Sequence, residues 1–394
     1  MTAIRIGTAG WTVPKAVAGA FPGEGGHLAR YAGRLDAVEI NSSFYRPHRP
    51  ATYARWAEAV PADFRFAVKV PRLVTHELRL VDSAGPFESF LFETAPLGEK
   101  RGPLLVQLPP SLFFDEAVAE AFFAMLRERF QGPVACEPRH ASWFTPEAEA
   151  LLVRHHVARA AADPARAKGA GEPAGWPGLV YVRLHGSPQI YFSPYEPAYL
   201  DALSERLAAW AAGGAEVWCI FDNTAHGFAA PNALSVQRLL RAASVEVRIE
   251  APGSPAARSC LAQYYAELAE RFEAGFDPSR SISATEAEMT PPVGYFVVAW
   301  LDGAPQGCGA LKVGDGIGEI KRMWTAPSAR GLGIARKVLR TLEAKAREVG
   351  LRRLRLETNR ALAEAQALYR GEGYAEVAPF NAEPYAHHWF EKRL

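Results

Sequence analysis

Short apolar runs rich in β-branched residues recur through the first 240 residues, each closing on polar positions, with amphipathic stretches between them. The runs cover residues 5–8, 36–41, 65–70, 104–108, 134–138, 157–163, 179–185 and 216–222. Apolar runs without alternation are strands buried on both faces, and intervening helices make such strands parallel. Eight units of this kind predict a TIM-type (β/α)8 barrel. Helical spacing is readable at 51–60 and at 116–130, where Asp115 is placed to cap the first turn. A further helix at 197–212 starts on proline and ends at Gly213 and Gly214. Residues 164–178, rich in Gly, Pro and Ala, predict a loop where the rhythm calls for a helix.

After residue 240 the rhythm changes. A strand at 245–250 and a helix at 254–272 lead to strands at 294–301 and 306–313, joined by a turn at 302–305. A strand at 319–325, a helix at 330–349, a strand at 353–357, a helix at 361–372 and a strand near 389–392 complete the pattern. This predicts a mixed α+β domain at 244–394 after a barrel domain at 1–243.

Composition narrows the class. With 49% hydrophobic and 22% charged residues, the chain is globular and not a disordered, collagen-like or disulfide-scaffold sequence. Net charge is +1, and residues 1–243 hold 24 basic against 24 acidic side chains. That balance argues against nucleic acid as a partner of the barrel, since phosphate backbones call for basic surfaces. Basic charge gathers instead at 321–355, with eleven basic residues against two acidic ones. Cys136, Cys219, Cys260 and Cys308 form no CxxC pair and read as small buried hydrophobes. Sparse cysteines, no leader-like start and no apolar run long enough for a membrane helix predict a cytoplasmic protein.

The sharpest motif is the turn 330–335, Arg-Gly-Leu-Gly-Ile-Ala, between a strand and a basic helix carrying Arg336, Lys337 and Arg340. Glycines let a ligand approach the backbone, and the free amides of a helix start favour phosphate. With the stretches 356–359 (Leu-Glu-Thr-Asn) and 367–374 (Ala-Leu-Tyr-Arg-Gly-Glu-Gly-Tyr), residues 245–394 resemble the GNAT N-acetyltransferases. The resemblance implies acetyl-CoA as donor and an amine, on a small molecule or a peptide, as acceptor. It places Met323, Trp324 and Thr325 at the thioester and pantetheine. Arg330, Gly331, Gly333, Ala335 and Arg336 fall at the pyrophosphate, and Asn359 on the pantetheine arm. Tyr369 becomes the general acid. Glu319 is the expected general base, with Glu357 as its rival.

In a (β/α)8 barrel, chemistry gathers where strands end. Those ends carry Glu39 and Asn41, Lys69, Gln107, Glu137 with Arg139 and His140, Asp163, Arg183 with His185, and Asp222 with Asn223. Side chains from so many strands converge only if the sheet closes, so Glu39, Lys69, Glu137, Arg139, Asp163, Arg183 and His185 are expected in one pocket. The stretches 6–11, 39–45, 107–110, 137–140 and 181–186 resemble the YecE-like family, domain of unknown function 72, over residues 3 to 240. That family is a TIM barrel related to xylose isomerase and endonuclease IV, with no activity that the resemblance supplies. The acids and histidines could hold a divalent metal, but Lys69, Arg139 and Arg183 on the same rim favour an anionic or phosphorylated ligand or ion-paired acids over a metal, and Trp11, Tyr45, Trp143, Tyr191 and Tyr195 could stack on a sugar-like ring. The leading expectation is an acetyltransferase fused to a barrel of hydrolase, lyase or isomerase type. The alternatives are a barrel that only binds substrate, or a nuclease-like, metal-dependent barrel.

Overall fold

The computed structural model describes residues 4–273, 275–282, 284–314 and 316–394. The chain divides into two compact units, residues 1–240 and 241–394.

The strands of the first unit are β1 (Ile4–Thr8), β2 (Ala37–Ile40), β3 (Arg65–Lys69), β4 (Arg101–Gln107), β5 (Val134–Glu137), β6 (Val157–Arg159), β7 (Ala161–Asp163), β8 (Ala174–Gly175), β9 (Leu179–Leu184) and β10 (Glu216–Phe221). Between and after them lie α1 (His27–Ala32), α2 (Ser42–Tyr45), α3 (Pro50–Glu58), α4 (Ala84–Thr94), α5 (Glu116–Arg129), α6 (Pro146–Arg154), α7 (Pro197–Ala212) and α8 (Ala229–Ala243). Asp115 caps α5, its Oδ1 accepting the Val118 amide at 3.0 Å. No helix forms between β7 and β9; β8 there pairs antiparallel with β6.

Alternate strand residues enter two different apolar clusters. Val38, Phe66, Val68, Leu104 and Val106 join the larger one, while Ala37, Ala67 and Leu105 join a second with Tyr181 and Trp218. Both strand faces are therefore buried, which is why the runs lack polar alternation.

The hydrogen-bonded ladders make two sheets, ordered β2-β3-β4-β5-β6-β8 and β1-β10-β9-β7, and not the single closed sheet expected. The run at 157–163 is where they part. β6 pairs with β5 and β7 with β9, while the Ala160 amide between them donates to Cys136 O at 2.8 Å. At the other side β1 and β2 meet through one bridge, Ala9 to Glu39, with the Gly10 amide donating to Glu39 O at 2.9 Å. The Tyr31 hydroxyl spans the same gap, accepting from Thr8 N and donating to Ala37 O, both at 2.9 Å. Gly7 is required for this approach: a Cβ there would lie 2.3 Å from Ala37 O.

The second unit continues with β11 (Glu246–Glu250), α9 (Pro255–Arg271), β12 (Gly294–Leu301), β13 (Ala304–Val313), β14 (Ile317–Thr325), α10 (Ile334–Glu348), β15 (Arg353–Thr358), α11 (Ala363–Gly371), β16 (Ala375–Val377) and β17 (His388–Arg393). They form one sheet ordered β11-β12-β13-β14-β15-β17-β16, in which β14 and β15 are the parallel pair. β12 and β13 turn tightly on Asp302 and Gly303, both at positive φ (52° and 76°), as a two-residue hairpin prefers. α10 starts at Ile334, four residues later than its sequence pattern suggests, because the glycine turn precedes it. Its buried stripe of Ile334, Val338, Leu342 and Ala346 follows four-residue spacing. Among the described residues no helix is long and apolar enough to cross a membrane.

Candidate functional site

The parallel ladder between β14 and β15 pairs residues 317–319 with 353–355 and then stops, although both strands continue. A bulge in the β13–β14 register between Cys308 and Ala310 lies beside this parting, and Arg322 within it has φ of 57°. Bulges bend the strand that carries them, and two neighbouring cavities line the cleft beyond the last pair.

The larger cavity, about 400 Å³, is lined by Met323, Trp324 and Thr325 of β14, by Arg330, Gly331, Gly333, Ala335 and Arg336 of the glycine turn and α10, and by Tyr369 of α11. Gly331 and Gly333 have φ of 80° and 73°, and Gly333 caps α10 in the left-handed conformation that glycine adopts without strain. The turn thus delivers a helix N-terminus, with its unpaired amides, to the cavity. Both arginines of the turn are held by carboxylates. Arg330 Nη2 donates to Glu267 Oε1 and Arg336 Nε to Glu372 Oε1 at 2.7 Å; Arg340 Nε joins Glu372 Oε2 at 2.8 Å.

The smaller cavity, about 100 Å³, shares Tyr264, Leu268, Met323, Leu362, Ala365 and Tyr369 with the first and adds Arg322, Glu357, Asn359, Glu383 and Tyr385. Burial drives the Tyr369 phenol upward, so it holds its proton. Asn359 lies in this second cavity with its amide committed: Nδ2 donates to Tyr385 O at 2.7 Å and Oδ1 accepts from Ala361 N at 2.9 Å. Glu319 lies on β14 behind the cleft. Arg355 Nε donates to its Oε1 at 3.2 Å, and Lys321 Nζ sits 3.3 Å from its Oε2. Burial raises the Glu319 carboxyl, but Arg355 and Lys321 outweigh it and hold the group below its ordinary value. Lys321 also donates to Glu357 Oε1, so one ammonium bridges the two candidate bases, and Glu357 is the one lining the cavity.

The first unit carries a separate polar network. Arg183, fully buried on β9, reaches three carboxylates: Glu39 of β2 (Nη2–Oε1 2.7 Å, Nε–Oε2 2.9 Å), Glu137 of β5 (Nη1–Oε2 2.8 Å) and Asp222 after β10 (Nη2–Oδ2 3.0 Å). His185 bridges two of them, with Nδ1 3.0 Å from Asp222 Oδ2 and Nε2 3.3 Å from Glu137 Oε1. Arg139 Nε and Gln107 Nε2 also donate to Glu137, and the Tyr181 hydroxyl donates to Glu39. Burial opposes charge on His185, yet its two carboxylate partners raise it; burial likewise opposes charge on Glu137, yet Arg183, His185 and Arg139 hold it well below the carboxylate range.

Lys69, 4% exposed, differs from its neighbours: among the described residues its Nζ makes no hydrogen bond or ion pair and sits 4.1 Å from the centre of the Phe44 ring. Burial, helped by Arg183, lowers it to about 8 against the pull of Glu39, Glu137 and Asp222. Four other strand-end residues lie outside the network, Asp163 among them although it was expected in the same pocket. Asp163 accepts from the Tyr195 hydroxyl at 2.8 Å. His140 caps its own turn, Nδ1 accepting from Ser142 N at 3.2 Å. Asn223 Nδ2 donates to Ser193 O and to Asn232 Oδ1. Asn41 keeps a buried Oδ1 without a partner. Of the rim cations, Arg139 and Arg183 are taken by the acids beside them while Lys69 is not, and among the described residues no group of three or more His, Cys, Asp or Glu side chains is arranged to hold a metal ion.

Arg322, Glu383 and Tyr181 escaped the sequence reading. Tyr181 hides inside an apolar run, and Arg322 and Glu383 acquire meaning only from the bulge and from a loop that returns to the cleft.

Comparison with known proteins finds a different family for each unit. The model of a protein of unknown function, DUF72, matches residues 5–258, and that of the acetyltransferase (GNAT) family matches residues 261–374. The IAA acetyltransferase of Azospirillum brasilense is 45% identical over 126 residues, 31% of this chain and 82% of that protein. The UPF0759 protein YecE of Escherichia coli K12 is 32% identical over 106 residues, 27% of this chain and 38% of YecE. The crystal structure of a DUF72 family protein from Enterococcus faecalis V583 superposes with a TM-score of 0.51 at 25% identity, covering 60% of this chain and 95% of that one. The chain therefore belongs to the DUF72 family through residues 5–258 and carries a GNAT acetyltransferase domain at residues 261–374, which makes it an enzyme that transfers acetyl groups.

Proposed function

We propose that the chain is an acetyl-CoA-dependent N-acetyltransferase acting directly on a small amine. The observation that carries this reading is the cleft between β14 and β15, with a glycine-turned helix N-terminus at one end, a second cavity at the other and Tyr369 lining both. Arg330, Gly331, Gly333, Ala335 and Arg336 cradle the pyrophosphate, and Met323, Trp324 and Thr325 flank the thioester. The acceptor occupies the smaller cavity, whose volume of about 100 Å³ suits a small molecule better than a peptide. Glu357 and Glu319, joined through Lys321, take the amine proton, and Tyr369 gives one to the departing thiolate. Asn359, tied to backbone on both sides, shapes the acceptor cavity.

Gly333→Glu tests the reading. A Cβ at Gly333 meets nothing within 4 Å, but φ of 73° strains any L side chain there, so the variant both disturbs the turn and brings a negative charge to the pyrophosphate position. Titration calorimetry should show acetyl-CoA affinity falling by about 100-fold or more, since like-charge juxtaposition costs several kcal/mol. Unchanged affinity would overturn the assignment.

For the first unit we propose a (β/α)8 barrel. Continuity of chain through Ala160 and the contacts of Gly7, Ala9 and Tyr31 across β1 and β2 support closure at both places where the ladder lapses. Its network of strand-end side chains supports a small-molecule site, of hydrolase, lyase or isomerase type, at which Lys69 is the unbonded amine. A substrate-binding module is the second reading, favoured by acids already neutralised by Arg183, His185 and Arg139. A metal-dependent nuclease would have to displace that guanidinium. All four cysteines are buried and free, which fits the reducing cytoplasm where we place the chain.

A further inference from the structure

The smaller cavity contains a charge pattern that acetyl-CoA does not use. Arg322 lines it, is 8% exposed, and has a buried Nε without a hydrogen-bond partner. Among the described residues no carboxylate forms an ion pair with it. Its guanidinium lies 5.9 and 5.1 Å from the ring centres of Tyr264 and Tyr265, contacts that cushion a cation without neutralising it. Neighbouring Lys321 is different, because Glu319 and Glu357 already balance it. A buried guanidinium without a counter-ion is strongly unfavourable unless a ligand supplies the anion. Opposite in sign, Glu383 lines the same cavity, is also 8% exposed, and is held by neutral donors alone: Ser281 Oγ at 3.0 Å, Ile282 N at 2.6 Å and Tyr385 N at 3.3 Å. Phe272, Phe276 and Tyr385 pack as an aromatic wall, with Phe276 and Tyr385 ring centres 4.8 Å apart.

A cavity of about 100 Å³ with one unbalanced cation, one carboxylate held by neutral donors alone and an apolar wall complements a small zwitterion with an apolar body. We infer that the acetyl acceptor is an α-amino acid with an apolar side chain, its carboxylate bound by Arg322. The inference rests on the acetyltransferase reading above. Arg322 immediately precedes Met323, which lines both cavities, so an amine one carbon from the bound carboxylate lies beside the donor cavity. The amine lone pair forms the new C–N bond to the acetyl carbon. The C–S bond breaks with its electron pair on the CoA sulfur, the nitrogen gives up a proton and the sulfur gains one. The products are the N-acetyl amino acid and CoA.

The test measures thiol release by the full chain with two matched pairs, L-phenylalanine against phenethylamine and L-leucine against 3-methylbutylamine, which differ only in the carboxylate. The wild type is expected to favour each amino acid over its amine by at least about 100-fold in kcat/KM, because an unpaired buried group penalises the analogue that lacks its partner. Arg322→Met should shrink that ratio to within about fivefold and raise the melting temperature, since it removes an unbalanced buried charge. Arg322→Lys should restore part of the ratio. Amines used as well as the amino acids, a ratio that survives Arg322→Met, or acetyl-CoA binding without transfer to either amino acid would overturn the inference. Absence of acetyl-CoA binding to the wild type would instead overturn the acetyltransferase reading beneath it.

Discussion

Tyr369 and Lys69 show how burial, ahead of any single neighbour, sets what a side chain can do. Tyr369 lines both cavities of the cleft, and its phenol is driven upward by burial first and then by nearby Tyr264 and Glu357. It therefore stays protonated and can only donate. Tyr369→Phe keeps the ring and removes the proton, so turnover should fall about tenfold to a hundredfold with acetyl-CoA affinity nearly unchanged, as steady-state kinetics and calorimetry would show. Full turnover in that variant would assign the proton to water or to the acceptor. Lys69 titrates from the other side. Burial lowers it from 10.5 to about 8, so between those values the unfolded chain binds a proton that the folded chain does not. Stability must then rise with pH through that window, while below it the cost of the buried ammonium is constant and at its largest. Denaturant unfolding from pH 7.5 to 10 should show the wild type gaining roughly 1–3 kcal/mol relative to Lys69→Met. A difference that stays flat with pH would show that the ammonium is not desolvated.

At the scale of elements, local pattern was legible wherever one helix face or one strand made its own case. Asp115 capping α5 and the Asp302–Gly303 hairpin follow from residues adjacent in sequence. What local pattern could not show was how one run is shared. The apolar stretch 157–163 reads as a single strand, but its two halves pair with different neighbours, a consequence of β5 and β9 competing for the same backbone. The start of α10 was likewise placed too early, because glycines at positive φ look helical to a periodicity argument and are not. The same turn carries a prediction. Arg336 and Arg340 both donate to Glu372, whose negative charge competes with a phosphate for Arg336. Exposed pairs of this kind contribute about 0.2–1 kcal/mol, so Glu372→Gln should tighten acetyl-CoA binding by up to roughly fivefold at low salt, with the gain shrinking as salt rises. Weaker binding in that variant would mean that Glu372 orients Arg336 and does not compete for it.

For the molecule as a whole, each unit announced itself differently. The acetyltransferase unit was legible as chemistry, since all eight residues expected around the donor thioester and pyrophosphate line one cavity. Asn359 lines the second cavity, its amide bonded to Tyr385 O and Ala361 N. The first unit was legible as a set of strand-end side chains, and Glu39, Glu137, Arg183 and His185 do meet although they come from β2, β5 and β9. Ion-paired acids were among the readings the rim cations allowed, but the partner was not legible: one guanidinium serving three carboxylates is a fact of three-dimensional packing. Arg322 is the counterexample within the second unit, a cation that packing leaves unbalanced. Acetyl transfer by the second unit depends most directly on where the acetyl donor lies. A crystal structure of the full chain grown with acetyl-CoA should place the pyrophosphate on residues 330–336 and the thioester between Met323 and Tyr369; density for the donor outside the β14–β15 cleft would contradict it.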